Sequence, residues 1–290
     1  RFAVSVFAVL DSSGHIRDTR FERTEIRSRH KLSYEEAQAV LDKKTSIDPE
    51  TDDALHALAA LAETLREKRK RRGSLDFDLP EARVVLGEKG KPISILQIQR
   101  LESHRLVEAF MLLANEAVAK EIKRRRVKAI HRVHDKPDTE KLDDLRARAA
   151  LMGLRAGNLA DQKQAGKFLA GLKGHLLADV FRIGYLRCMK RACYSTEPIG
   201  HYGLAKDDYV HFTSPIRRYA DLIVHRIVYQ HAKLDDTALA TAADHISLTE
   251  RNSADAEIDS KIIKLLTHLQ RQLDRKKPET YTAMVTDVRH

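Results

Sequence analysis

One segment constrains this fold more than any other. Between residues 103 and 125, Leu106, Val107, Phe110, Met111, Leu113, Ala114 and Val118 recur at the spacing of a broad helix face. A helix of that length with so wide an apolar stripe requires a core to pack against. It ends in Lys123-Arg124-Arg125-Arg126, where cations suit the negative end of the helix dipole. Around it the chain reads as mostly helical. Ser33 and Glu36 form a capping-box pattern that opens a helix. Further helices are expected at 51–70, 138–151, 176–191 and about 237–273, and over 214–231, with Ser214 as N-cap and Pro215 at the first helical position. Strands are expected at 2–10 and 16–27, joined by the turn cluster Asp11-Ser12-Ser13-Gly14, in a hairpin over 82–98 turning at Glu88-Lys89-Gly90-Lys91, and at 129–133. Residues 43–50 read as a polar linker, and 153–175, with scattered glycines, show no usable period. The fold class expected is α+β, helix-rich.

Composition narrows the functional classes. The 290 residues are 42% hydrophobic and 32% charged, which excludes a disordered chain. No apolar run approaches the roughly 20 residues needed to cross a bilayer, so no membrane partner is expected. Lys and Arg exceed Asp and Glu by 52 − 42 = 10, a balance that favours a polyanionic partner, most commonly nucleic acid. The two cysteines, Cys188 and Cys193, make neither a disulfide scaffold nor a zinc knuckle, and two reduced thiols fit a cytoplasmic setting. The first residues, Arg1-Phe2-Ala3-Val4-Ser5-Val6-Phe7, read as a strand in progress without an initiator Met, and Tyr281–Val288 as a strand just beginning. Both suggest a piece of a longer polypeptide.

Chemistry concentrates between His201 and Arg226. There a polar and aromatic loop, Tyr209-Val210-His211-Phe212-Thr213-Ser214-Pro215-Ile216-Arg217-Arg218, runs into the expected helix start. Unpaired backbone N–H groups and the dipole favour anions at such a terminus. Arg217 and Arg218 in a first turn oppose the dipole and call for an anionic partner. That partner is either a phosphate, bound bidentately, or protein carboxylates; the residues alone leave both open.

Residues 193–226, with Tyr194-Ser195-Thr196-Glu197-Pro198 leading in, resemble the signature of the ribonuclease II / ribonuclease R (RNB) family of 3′-to-5′ exoribonucleases. Other segments are similar to the same family in the same order: Lys31–Ala37, Leu75-Asp76-Phe77-Asp78, Leu86–Gly90, Val107–Glu116 and Arg132–Pro137. The resemblance implies an RNB-type catalytic domain over 1–278, incomplete at its N-terminal side, with 279–290 opening an OB-fold RNA-binding domain. It implies hydrolysis of single-stranded RNA to nucleoside monophosphates. By the same resemblance Arg217 lies near the scissile phosphate, Tyr34 in the catalytic pocket and Glu257 near the RNA 3′ end. Phe77 would stack on a terminal base and Glu108 would contact RNA. Arg218 and Tyr209 are carried as RNA-binding candidates, although for Tyr209, Phe212 and Tyr219 the sequence leaves core and RNA-facing places both open. Aromatic stacking would tolerate any base, and contacts to the 2′-hydroxyl would select RNA.

The family's magnesium site is an aspartate cluster that precedes the Leu-Ser-Tyr segment, and this chain begins after that point. No metal ligand is therefore expected among these residues, and Mg2+ would be held on carboxylates outside them, on the missing N-terminal part of the same enzyme. Ile47-Asp48-Pro49-Glu50-Thr51-Asp52-Asp53 echoes the missing motif, but aspartates opening a helix are explained by its dipole. His201, His211 and His225 read as structural histidines. The basic runs at 68–72 and 123–126 read as solvated helix ends, with a second role in steering RNA phosphates open. The alternative from another class is a non-catalytic RNA-binding protein that keeps the fold. A protein-interaction module would leave the Arg217 motif unexplained.

Overall fold

The computed structural model describes residues 1–75, 81–274 and 279–281. β1 (Phe2–Leu10) and β2 (Ile16–Glu25) form an antiparallel hairpin with Phe2 opposite Glu25 and Val6 opposite Phe21. Its turn uses Gly14 at φ +73°, a backbone region open to glycine at little cost. α1 (Tyr34–Leu41) begins at the expected capping box: Glu36 N–H donates to Ser33 Oγ at 3.1 Å, and Ser33 N–H donates to the Glu36 carboxylate at 2.7 Å. α2 (Pro49–Arg72) starts two residues earlier than its apolar period suggests. Asp48 caps it by accepting from Thr51 N–H, Pro49 sits at its first position, and Gly73 ends it at φ +97°.

β3 (Glu81–Leu86) and β4 (Pro92–Ile98) make the second hairpin, and α3 (Glu102–Arg125) follows. β5 (His131–Val133) pairs with β6 (Cys193–Ser195), and between them lie α4 (Thr139–Leu151), α5 (Gln162–Gly171) and α6 (Ala178–Cys188). α7 (Tyr219–Gln230) and the long α8 (Asp236–Asp274) complete the described elements. Among the described residues, the strands form three two-stranded antiparallel sheets around a predominantly helical body, so the fold is α+β and helix-rich.

The main core joins α3, α7 and α8: Val118 and Ile122 meet Val224, Ile227, Leu239 and Ala243 around Ile130 and Val210. A second core lies between α4, α5 and α6, around Phe181 and Tyr185. α3 differs from its sequence reading. Val107 and Met111, expected on the buried face, are 36% and 37% exposed, whereas Ala109, Leu112, Asn115 and Glu116 are buried. The helix is enclosed on several sides in its second half, so a single apolar stripe does not describe it. α5 escaped the period because it buries only Ala165 and Leu169; Asp161 caps it through Gln164 N–H at 2.8 Å.

The largest departure is at 214–231. The helix begins at Tyr219, not Pro215, and Ser214 is not its N-cap. Arg217 N–H and Arg218 N–H both donate to Ser214 O, closing one isolated turn. Arg218 then takes an extended conformation (φ −126°, ψ 120°) before α7 starts. Phe77 lies outside the described residues, as do 282–290 of the expected OB-fold start. No helix among the described residues is long and apolar enough to cross a membrane.

Candidate nucleic-acid interface

The break at Arg218 has a cause three residues on. Asp221 is wholly buried, and its carboxylate accepts three hydrogen bonds: from Ser214 N–H at 2.7 Å, Arg218 Nε at 2.8 Å and Arg218 Nη2 at 2.9 Å. A buried carboxylate requires such partners. Extending the backbone at Arg218 lets its guanidinium fork turn back onto Asp221 in bidentate fashion. Of the two readings for the arginine pair, protein carboxylate therefore holds for Arg218. Its expected place on RNA is corrected accordingly, because its fork is committed inside the chain.

Arg217 is different. Its side chain is exposed on the 215–217 turn beside the fully exposed Ile216, and no hydrogen bond or ion pair to it is found among the described residues. The loop that presents it is held from below by Asn115 on α3, whose Oδ1 accepts from Phe212 N–H at 3.0 Å and whose Nδ2 donates to Tyr209 Oη at 2.8 Å. Tyr209 is 4% exposed, so its expected contact with RNA is likewise corrected. Its hydroxyl belongs to this internal tether, and burial raises its pKa.

Two neighbouring histidines, His211 and His201, are held neutral. Burial, reinforced by Arg218 and Arg132, pushes His211 down to about 2, and Tyr194 Oη lies 2.9 Å from its Nδ1. Burial with His134 nearby pushes His201 down to about 3. His225 Nε2 sits 2.9 Å from Phe212 O. These are structural histidines, as expected. With His201 and His211 neutral and Arg218 paired with Asp221, the loop presents Arg217 to solvent as an exposed cation.

A second group forms where α1 meets α3. The Tyr34 ring is 42% exposed and stacks on His104, with centroids 4.0 Å apart and planes at 17°. Ser103 Oγ donates to Tyr34 O at 2.8 Å, and Gln38 Oε1 accepts from Ser103 N–H at 3.1 Å. His104 Nδ1 accepts from Leu101 N–H at 3.3 Å, which leaves Nε2 to carry the neutral ring's proton. One turn further, Glu108 is paired with Arg100 and, at 3.5 Å, with Arg69. Glu257 stands apart on the exposed part of α8, paired with Lys261 at 2.7 Å, whose hydrogen bond holds its carboxyl below the ordinary value. The structure thus brings Tyr34 and Glu108 onto one helix pair. Arg217 and Glu257 lie on other elements and share no hydrogen bond or ion pair with them among the described residues.

The residues that hold the site, Asp221, Asn115, His104 and Ser103, were not singled out by the sequence. The i, i+3 spacing of Arg218 and Asp221 was the available signal for one of them.

The described residues do not suit a magnesium ion. No group of three or more His, Cys, Asp or Glu side chains converges among them. Asp48 is spent on Thr51 and His30, and Asp52 accepts from Ile47 N–H at 3.1 Å, so the echo of a metal motif is a helix start.

Comparison with known proteins identifies the family of the chain. The RNB domain model matches residues 1–233. Ribonuclease R of Chlamydia pneumoniae is 36% identical over 292 residues, covering 100% of this chain and 43% of that protein. Ribonuclease R of Aquifex aeolicus is 34% identical, covering 90% of this chain and 39% of its own length. The chain therefore spans less than half the length of these relatives. Mycoplasma genitalium RNase R, solved in complex with ribose-methylated single-stranded RNA, is similar with a TM-score of 0.87 at 27% identity, over 94% of this chain and 45% of that one. Yeast Ssd1, described as a pseudonuclease, shares the fold with a TM-score of 0.64 at 22% identity, over 84% of this chain and 31% of that one. With the RNB domain model matching residues 1–233, the chain belongs to the RNB-domain family.

Proposed function

We propose that this chain is the C-terminal part of the catalytic domain, residues 1–278, of a cytoplasmic 3′-to-5′ exoribonuclease, with 279–290 opening an OB-fold. Its substrate is single-stranded RNA, hydrolysed to nucleoside monophosphates. The observation that carries this reading is Arg217: an exposed guanidinium, without a hydrogen-bond or ion-pair partner among the described residues, on a loop fixed by the buried Asp221 fork and by Asn115. A guanidinium held in place but left without a carboxylate is suited to a phosphate. In this reading Arg217 stabilises charge on the phosphoryl oxygens as the 3′-terminal phosphodiester is hydrolysed. Tyr34, backed by His104, receives a terminal nucleotide by stacking. Phe77 does the same from the segment outside the described residues. Glu257 lies near the 3′ end, Glu108 contacts the RNA, and Arg218 and Tyr209 act through the loop rather than on RNA. Magnesium would supply an activated water and charge neutralisation. Its carboxylates are expected outside this chain, and no step assigned to these residues runs through it.

The test is a degradation assay with 5′-labelled single-stranded RNA, with magnesium and then with chelator, on the complete protein and on this chain alone. A chelator-sensitive ladder from the 3′ end in the complete protein, and RNA binding without cleavage by this chain, are the expected results. Binding without any cleavage by the complete protein would instead favour the second reading, a non-catalytic RNA-binding protein. The fold shared with yeast Ssd1, a pseudonuclease, keeps that reading in view, since the fold alone does not carry catalysis.

A further inference from the structure

A second concentration of charge lies away from the Arg217 loop, where the end of α2 meets α3 and the strand-hairpin turn. Five cations, Lys68, Arg69, Arg72, Lys120 and Lys206, line one cleft with the single carboxylate of Glu116. Glu116 is shared three ways: Lys206 pairs with one oxygen, and Lys120 at 3.1 Å and Arg72 at 3.8 Å approach the other. Among the described residues Lys68 forms no ion pair with a carboxylate, and it donates to Gly14 O at 2.7 Å. Arg69 reaches toward Glu108 at 3.5 Å, while its Nε is buried without a hydrogen-bond partner.

The C-terminal dipole of α2 explains some of this charge, since Arg69 and Arg72 lie in its last turn. It does not explain Lys206, which comes from another element, is only 8% exposed and is placed among other cations. Burial and the neighbouring Arg72 lower the Lys68 pKa, and burial lowers that of Lys206 against the pull of Glu116. The like charges therefore oppose one another in a partly dry cleft, and a bound anion would relieve them. Arg72 and Lys120, with side chains 45% and 56% exposed, are the cleft-lining cations most open to solvent, and both lie against the same Glu116 oxygen, where a ligand from solvent would meet them.

We propose that this cleft is an oxyanion site that takes a phosphoryl group at its mouth between Arg72 and Lys120, with Lys206 and Arg69 supplying charge from beneath. The group is either a phosphodiester of bound RNA or free inorganic phosphate. Only the first source rests on the RNA reading above.

The double variant Arg72→Gln/Lys120→Gln tests the site, because both side chains are largely exposed and the buried Glu116–Lys206 pair is left in place. Lys136→Gln/Lys173→Gln, at two exposed lysines elsewhere, matches its charge change. Binding of a labelled single-stranded RNA is measured against salt for all three proteins. Thermal unfolding is measured with added inorganic phosphate at constant ionic strength. If the site holds an RNA phosphate, the salt slope of the site variant falls by about 0.7 for each phosphate no longer neutralised. Its affinity then drops roughly tenfold, the size of one charge-assisted hydrogen bond, and the control does neither. If it holds free phosphate, phosphate raises the melting temperature of the parent and the control but not of the site variant, and the RNA slopes agree. If neither quantity separates site variant from control, the proposal is overturned and the cations answer only the helix end. A parent that binds no RNA at all would refute the proposed function while the phosphate arm still decides this site.

Discussion

Replacing Asp221 with asparagine is the sharpest test of how the Arg217 loop is built. The side chain is wholly buried, so its three hydrogen bonds, at 2.7, 2.8 and 2.9 Å, have no water to replace them. Asparagine keeps the shape and one acceptor oxygen. That oxygen can still receive Ser214 N–H or one nitrogen of Arg218, and the new amide N–H2 then faces a donor. The substitution removes the charge-assisted fork and leaves Arg218 with an unbalanced charge. Removing one member of a buried ion pair costs about 3–5 kcal/mol. Arg218 retains 17% exposure, so partial hydration places the loss near the lower bound, about 3 kcal/mol. For a chain of this size that is a melting-point fall of roughly 5 °C. Urea unfolding of the parent, Asp221→Asn, Arg218→Met and the double variant gives the coupling energy directly. We expect at least about 2 kcal/mol of coupling, with turnover of the complete protein on RNA, rather than RNA affinity, falling in Asp221→Asn as the Arg217 turn loses its anchor at Ser214. A coupling energy near zero, or an Asp221→Asn protein as stable as the parent, would show that the fork does not set the loop.

Arg217→Ala should leave unfolding within about 0.5 kcal/mol of the parent, because an exposed side chain without partners holds nothing together. In the complete enzyme the same change should cut turnover by roughly 100- to 1,000-fold with little loss of RNA affinity, and normal single-turnover rates would rule out its role. His104→Ala removes the ring beneath Tyr34 and should weaken RNA binding by about 1–2 kcal/mol if that ring receives a base, read by fluorescence anisotropy; an unchanged affinity would place Tyr34 off the RNA path. Acid should destabilise the fold. His201 and His211 are held neutral at about 3 and 2, below the unfolded value near 6.5, so the unfolded chain takes up protons first as pH falls. By pH 5 each costs at most about 2 kcal/mol, a loss that begins near pH 6.5 and grows down toward the folded values. Glu116 acts in the same direction at lower pH: burial alone would raise its pKa, but Lys206 and Lys120 hold it at about 2, so its contribution fades as pH drops below about 4.5. Stability that is flat from pH 7 to 5 would contradict the histidine burial.

What the sequence discloses and what it hides divide along physical lines. Local, self-contained devices are legible: the Ser33–Glu36 capping box and both hairpin turns follow from neighbouring residues and appear where the pattern places them, whereas the Asp48–Pro49 start of α2 lies two residues before the helix read from apolar spacing. Apolar periodicity finds helices with one wet face, but it misassigns Val107 and Met111 on α3, a helix enclosed on several sides, and misses α5, which buries only two residues. The helix start at Ser214 fails for a different reason. Serine followed by proline is a strong local signal for a helix N-terminus, and one helical turn does close there onto Ser214 O. The signal is overridden by a demand that arises only on folding: Asp221 is carried into the core by α7 and must be satisfied, and Arg218 can reach it only by leaving the helical conformation. The same demand separates two adjacent arginines that look equivalent in the sequence. Arg218 is drawn inward to neutralise the carboxylate, and Arg217, on the turn so created, is left facing solvent with its charge unanswered. The break in the helix is thus the device by which a basic pair becomes one internal support and one solvent-facing guanidinium.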